Sequence, residues 1–322
     1  MVDLKLKLPK DFFEKEERCG YQISSSMKKI WSIELDLLNE FQRVCRLFGI
    51  QYFAAGGTML GAVRHHGFIP WDDDIDIIMK RSEYEKFVQI ARCEGTFSYP
   101  YFWQDHISDP GYVGGPGRLQ NLETTCIPYG WLDEKSGVVK CHCGIFIDVF
   151  PLDNIPNELE EREKWLSDIQ EVASKAWRLR MFTHRGLHQD DKELEWLSFW
   201  FSLIGDPDAL FKQYYRMLSA NATESTEKCC AFSYYTRNTN CRQVYQNCWL
   251  QESETVSFEM LQIPVPKCYD EMLTQEYGDW HKQVRGESMH EKMESGFYFD
   301  TDHAYTDYVD SYSGIRKELI LK

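Results

Sequence analysis

The sequence predicts an α/β fold, α+β in the broad sense: a small mixed sheet beside a second lobe made of helices. Three observations predict it. Residues 27–48 place apolar side chains at steps of three and four, and a short apolar run at 51–55 follows directly. Residues 74–79 alternate as a strand does, and 145–150 is an apolar strand broken by one aspartate. Residues 158–181 and 193–218 then carry two long amphipathic patterns with no strand signal between them. The predicted division is an N-terminal arm over 1–26, a sheet-bearing core over 27–155, a helical lobe over 156–227, and a mixed C-terminal region over 228–322 that packs on the core.

A chain of 322 residues, 43% hydrophobic and 15% aromatic, has ample material for a core. Its net charge of −15 argues against nucleic acid or an anionic membrane surface as a main partner. It does not exclude nucleotides, which a metal and a few arginines can hold locally. The start of the sequence lacks the basic-then-apolar pattern of a signal peptide. Its longest apolar stretch, Leu197 to Ile204, is too short to span a bilayer. With eleven cysteines and no such leader, the expectation is reduced thiols in a cytosol. No cysteine pair has the spacing of common structural zinc sites, so the thiols read as small buried hydrophobes.

In chain order, residues 1–23 are expected to form an irregular arm with a short helix near Phe12 to Arg18. Ser24 to Ser26 offer an N-cap for the helix over 27–48, whose stripe is Trp31, Leu35, Leu38, Phe41, Cys45 and Phe48. Gly49 ends it. This helix reads as scaffold. The strand at 51–55 delivers a glycine turn, Gly56-Gly57-Thr58, that opens a short helix. Ser82-x-x-Glu85 reads as a capping box starting a helix to about Cys93.

The chemistry gathers at Asp72, Asp73, Asp74 and Asp76. On a pleated strand Asp74, Asp76 and Ile78 share one face, with the Cα atoms of the two aspartates about 7 Å apart and their carboxylates pointing the same way. Two like charges at that separation raise each other's pKa unless a cation lies between them. Hard oxygen donors suit Mg²⁺ or Mn²⁺, and Mg²⁺ usually takes one or two carboxylates plus substrate phosphates. The helix opened by Gly56, Gly57 and Thr58 turns unpaired N–H groups and a positive dipole end toward the same place. Phosphate plus metal is the simplest ligand that satisfies both. Arg64 reads either as a phosphate ligand or as the partner of a nearby aspartate. His65 and His66 read as packing or surface residues.

Further on, Gly111 to Gly117 reads as a loop. Arg118, Asn121, Thr124 and Thr125 are either substrate contacts or parts of an ordinary hairpin. Asp148 interrupts Ile145 to Phe150, and a buried carboxylate there needs a cation or a partner. Asp153 reads as part of the following turn. Phe199, Trp200 and Phe201 read as helix packing, with contact to a membrane-bound acceptor as the alternative. Pro264 and Pro266 forbid a helix or a central strand. Trp71, Tyr277 and Trp280 are either core aromatics or walls for a nucleobase or a quaternary ammonium group.

GGTMLGAVRHHGFIPWDDDIDIIM, residues 56–79, resembles the signature of the LicD family. Residues 145–153, IFIDVFPLD, resemble that family's FIDIFPLD motif. The prolines, Tyr269-Asp270 and Tyr277-Gly278-Asp279-Trp280 resemble its C-terminal pattern. The resemblance runs over roughly residues 10 to 285 and is strong only at 55–79, 144–153 and 264–280. It implies a nucleotidyltransferase-like sheet in which Asp74, Asp76 and Asp148 are metal ligands, Asp148 also serving as general base. Gly56, Gly57, Thr58, Arg64, Trp71 and Arg118 are then substrate contacts. The family includes phosphocholine transferases acting on bacterial surface glycans, with fukutin-related protein, a ribitol-phosphate transferase, more distant.

The implied reaction is Mg-dependent transfer of phosphocholine from CDP-choline, or of a similar group from another CDP-alcohol, to a glycan hydroxyl, with release of CMP. The implied acceptor is a glycan, lipid-linked or free, and the setting is the cytoplasm or the inner membrane face. Two alternatives stay open: nucleotidyl transfer from a triphosphate with release of pyrophosphate, and a nucleotide-binding module without turnover. The zinc carried by fukutin-related protein keeps Cys141 and Cys143 as candidate zinc ligands.

Overall fold

The computed structural model describes residues 2–112, 114–115, 117–128, 141–185, 191–204, 206, 208–221, 226–231, 243–285 and 296–309. The arm holds a hairpin, β1 (Glu16–Arg18) and β2 (Tyr21–Ile23), where a short helix was expected. Cys19 and Gly20 both take positive φ, 54° and 72°, which is the backbone of a two-residue hairpin turn.

Helix α1 (Ser25–Phe48) is capped by the Ser24 hydroxyl, which accepts from the Met27 N–H, and ends at left-handed Gly49. It is buried on most of its circumference and not on one stripe alone, so several of its polar residues carry partners. Asp36 accepts from the Leu6 N–H and the Tyr101 hydroxyl, both at 2.6 Å. Gln42 donates to the Gln262 carbonyl at 2.7 Å.

The elements that position the site follow. Strand β3 (Phe53–Ala54) leads into helix α2 (Gly56–His65). Strand β4 (Asp76–Lys80) starts two residues later than its alternation suggested, so Asp74 lies in the extended segment before it. Helix α3 (Arg81–Ala91) has Lys80 at its N-cap, with no side-chain cap. Ser82 is thus inside the first turn, and Glu85 pairs with Arg81 at 3.1 Å in place of the expected capping box. Strands β5 (Tyr101–Gln104), β6 (Gly117–Asn121) and β7 (Thr125–Pro128) lead to β8 (Ile145–Ile155). Strand β8 is longer than the apolar run suggested. It includes Asp153, which was expected in a turn and is instead fully buried against Arg81.

The helical lobe comprises α4 (Leu159–Arg185), α5 (Asp191–Ile204) and α6 (Ala209–Ser219). The pattern over 193–218 therefore falls in two helices, α5 and α6. Phe199 is exposed; the side chains of Trp200 and Phe201 lie outside the described residues. Buried Arg180 of α4 donates to the carbonyls of Pro110 and Tyr112 and pairs with Asp208, tying the lobe to the core.

Beyond the lobe come β9 (Lys228–Cys230), β10 (Val244–Gln246), β11 (Ser253–Phe258) and β12 (Leu261–Pro266), then α7 (Tyr269–Tyr277). Strand β13 (Phe297–Asp300) and helix α8 (Thr306–Val309) follow. The prolines of β12 fall in a two-stranded pair with β11, where missing N–H groups are tolerated.

The main sheet is mixed, in the order β10-β9-β8-β4-β3, with β6 also on β8 and β5 on β6. Strand β8 runs parallel to β4, aligning Asp76 with Asp148, and antiparallel to β6, aligning Arg118 with Asp148. The same core joins arm residues Phe12 and Ile23, helix α1, the sheet, and Phe258, Val265, Leu273 and Trp280 from the C-terminal region. The lobe has its own smaller core around Leu166, Ile169, Phe211 and Leu218. Among the described residues no helix is long and apolar enough to cross a membrane.

One buried acid in α7 makes a pH prediction. Burial pushes the Glu276 carboxyl from 4.5 up to about 7, against a hydrogen bond from the Tyr245 hydroxyl that pulls it down. The folded protein therefore holds a proton that the unfolded chain has lost between pH 4.5 and 7. That contribution, about 3 kcal/mol, is complete below pH 4.5 and lost as pH rises through 7. Denaturant melts at pH 5 and pH 8 should show Glu276→Gln removing this part of the slope and exceeding the parent in stability at pH 8.

Candidate active site

The site is a row of side chains across three neighbouring strands. Asp76, Asp148 and Arg118 are direct register partners on β4, β8 and β6, and all three lie on the half-exposed face of the sheet. Adjacent strands are about 4.8 Å apart, so the row is compact. The Arg118 Nε donates to Asp148 Oδ1 at 2.7 Å, and its guanidinium lies 3.7 Å from the centre of the Phe146 ring. Arg118 is thus held against a carboxylate and an aromatic face, which fixes it in one place.

Backbone bonds lock this arrangement. The Asp76 N–H donates to the Thr58 hydroxyl at 2.8 Å, and the Ala55 N–H donates to the Asp76 carbonyl at 3.0 Å. The Asp148 N–H donates to the Ile75 carbonyl at 3.0 Å. Thr58 therefore ties the first turn of α2 to the first residue of β4. Gly56 takes φ +46°, a conformation that favours glycine, where β3 turns into α2.

The alternation read from the sequence holds through the loop before β4. Asp72, Asp74 and Asp76 are half-buried, and Asp73, Ile75 and Ile77 are buried. The Asp72 and Asp74 carboxyls are within hydrogen-bonding reach of each other. Burial first, then Asp74 and Asp73, hold the Asp72 carboxyl well above its usual range. A Cβ on Gly57 would lie 2.6 Å from Asp72 Oδ2, so Gly57 is what lets this carboxylate sit against the start of α2. Gly57→Ala should turn Asp72 away and leave the fold intact, because the crowded atom ends a side chain. The expected result is a loss of turnover of about a hundredfold with an unchanged circular-dichroism spectrum.

Beneath this cluster lies Glu34 of α1, which sequence reasoning assigned to scaffold. It is 2% exposed, and its Oε2 has no hydrogen-bond partner among the described residues. Burial, followed by Asp74, Asp73, Asp72 and Asp76, pushes its carboxyl well above the usual range. A signal for it was present: residue 34 falls between Trp31 and Leu38 on the apolar stripe, where a carboxylate needs a reason. Asp72 was legible by the same period of two that singled out Asp74 and Asp76.

The donor set fits a hard divalent cation: clustered carboxylates, one of them unsatisfied, with mutual repulsion to relieve. Among the described residues no three His, Cys, Asp or Glu side chains are arranged to enclose an ion by themselves. A cation here would take few protein ligands and complete its shell with water and substrate oxygens, as Mg²⁺ commonly does.

Other expected contacts lie elsewhere. Arg64 donates to the carbonyls of Trp280 and Lys282, at 2.7 and 3.1 Å, and not to an aspartate. Trp71 is almost buried and meets Tyr21 edge-on, which is core packing. Trp280 is buried and donates to Asp270. Tyr277 differs: it is 43% exposed, and its hydroxyl lies 3.7 Å from where a Cβ on Gly56 would be, at the mouth of the site. Thr124 and Thr125 serve the backbone, Thr124 accepting from the Ile145 N–H and donating to the Asn121 carbonyl. The Cys141 and Cys143 sulfurs are buried 3.9 Å apart, and His142 between them faces Asp109 at 2.9 Å.

A mixed α+β fold with carboxylates in register on adjacent strands, opening beside a glycine turn, defines the class of this protein. The LicD/FKTN/FKRP nucleotidyltransferase-domain family matches residues 49–109, the segment that carries β3, α2, the acidic cluster and β4. The chain is similar to the lipopolysaccharide cholinephosphotransferase LicD of Haemophilus influenzae, with 36% identity over 124 residues, 38% of this chain and 43% of that protein. It is also similar to uncharacterized proteins of Rickettsia typhi (40% over 70 residues, 22% of each chain) and Rickettsia prowazekii (44% over 64 residues, 20% of this chain and 23% of that one). These matches assign LicD-type sequence to residues 49–109, the part of the chain that carries the acidic cluster. The matched stretches span under half the length of the Haemophilus protein and under a quarter of each Rickettsia protein.

Proposed function

We propose that this protein is a LicD-type transferase, dependent on Mg²⁺ or Mn²⁺, that moves a phospho-alcohol group, phosphocholine first among them, from a CDP-alcohol to a glycan hydroxyl. The observation that carries the reading is the register of Asp76 with Asp148 on adjacent parallel strands, at the edge of the Asp72–Asp74 pair. Similarity to a cholinephosphotransferase supports the choice of choline and of a glycan acceptor. A cytoplasmic setting at the inner membrane face is the matching proposal, since CDP-alcohols are made from nucleotides.

In this reading Asp74 and Asp76 are the cation ligands. When bound, Mg²⁺ or Mn²⁺ would supply charge neutralisation for the pyrophosphate and the departing CMP. The N–H groups of the first turn of α2, at Gly57 and Thr58, face phosphate oxygens. Asp148 accepts the proton of the acceptor hydroxyl, whose oxygen forms a new bond to the alcohol-bearing phosphorus. The bond from that phosphorus to the bridging oxygen breaks, and the electron pair leaves with CMP. Arg118 keeps Asp148 in one orientation through its Nε–Oδ1 bond, and in this reading its charge would offset that building on the transferred group. The exposed ring of Tyr277 offers a wall for the base or the quaternary ammonium.

The test is a product survey with Mg²⁺ and lipopolysaccharide or simple sugar acceptors, offering CDP-choline, other CDP-alcohols, CTP and ATP. CMP from a CDP-alcohol supports the reading. Pyrophosphate from a triphosphate, with CDP-alcohols untouched, overturns it.

A further inference from the structure

The carboxylates of the site come from β4, the segment before it and β8, yet a buried acid from α1 faces the same cluster. Trp31 fixes how close that helix comes: its indole N–H donates to the Asp72 carbonyl at 2.8 Å. Glu34 lies three residues further on, on the same helical face, and a helical side chain leans back toward the preceding turn. Glu34 is thereby directed at the segment that begins with Asp72. It is 2% exposed, and Oε2 has no partner among the described residues. A carboxylate oxygen so buried and unbonded costs several kcal/mol if charged, so the fold would discard it unless something supplied a donor.

We propose that Glu34 is a positioning residue of the cation site: its Oε2 accepts a hydrogen bond from a water of the hydrated divalent ion held by Asp74 and Asp76, and so fixes that ion from beneath. This rests on the cation-dependent function proposed above. A water-mediated role agrees with the finding that, among the described residues, no three His, Cys, Asp or Glu side chains enclose an ion directly. It also explains why a carboxylate occupies an apolar stripe, because partners behind the direct ligands are what orient a weakly held ion.

The experiment is Mn²⁺ binding, read by the electron paramagnetic resonance of free Mn²⁺, in the presence of saturating CDP. The parent protein, Glu34→Gln and Asp76→Asn are compared, and cation-free melting is recorded for each. The expected result is Mn²⁺ affinity about 10- to 100-fold weaker in Glu34→Gln, with a cation-free melting temperature no lower than the parent's. A merely structural Glu34 would move the melting temperature and leave Mn²⁺ binding alone. Parental Mn²⁺ affinity in Glu34→Gln, with Asp76→Asn impaired, overturns the role of Glu34 and leaves the cation reading standing. Equal binding by the parent and Asp76→Asn overturns the cation reading, and this inference with it. Should Glu34→Gln not fold, Glu34→Met, of similar length and apolar, is measured and judged by the same results.

Discussion

Asp76→Asn is expected to lower turnover of a CDP-alcohol by about a thousandfold or more, close to 4 kcal/mol of transition-state stabilisation. The backbone should not move, because the Asp76 N–H and carbonyl are bonded to Thr58 and Ala55 whatever side chain residue 76 carries. Under the proposed function the loss is chemical: an amide removes the negative charge that would bind the cation and keeps nearly the same shape. Steady-state assays at saturating Mg²⁺, beside a melting curve, separate the two. A stable protein without turnover supports the assignment. A stable protein with parental turnover removes Asp76 from the site.

Arg81→Met is expected to destabilise the fold by about 3–5 kcal/mol. Arg81 and Asp153 are 3% and 1% exposed, and they meet through two bonds, Nε to Oδ1 at 2.6 Å and Nη2 to Oδ2 at 2.7 Å. Removing the arginine strands a carboxylate in the core. Asp153→Ala should cost less, because Arg81 keeps half-exposed Glu85 as a partner. Replacing both, as Arg81→Met with Asp153→Leu, should recover much of the loss, since a buried pair contributes little net stability over apolar residues of similar volume. Denaturant melts of the three variants test the order. A double variant as unstable as the two single losses added together would contradict it.

The sequence carried the local geometry of the candidate site and not its long-range pairings. Asp74 and Asp76 were legible because a strand has a period of two, and that period persists into the loop at Asp72. Helix α1, its Ser24 cap and its Gly49 stop were legible from the stripe and the cap chemistry. The pairing of Arg118 with Asp148 was not, because it depends on the register of two strands that lie 30 residues apart in sequence. Asp153 was misplaced because the apolar run ends before the strand does; pairing with β9 extends β8 to Ile155. Glu34 was overlooked because one acid on an apolar face acquires meaning only when the fold sets four aspartates beside it.

The central claim is that the acceptor attacks the phosphorus bearing the alcohol. The most direct measurement uses CDP-choline with ¹⁸O in the pyrophosphate bridge, followed by the isotope shift in ³¹P NMR as products form with Mg²⁺ and a glycan acceptor. The account predicts that the label leaves on CMP, because the broken bond joins the bridge to the choline-bearing phosphorus. Label retained on phosphocholine, with the cytidylyl group transferred, would contradict it.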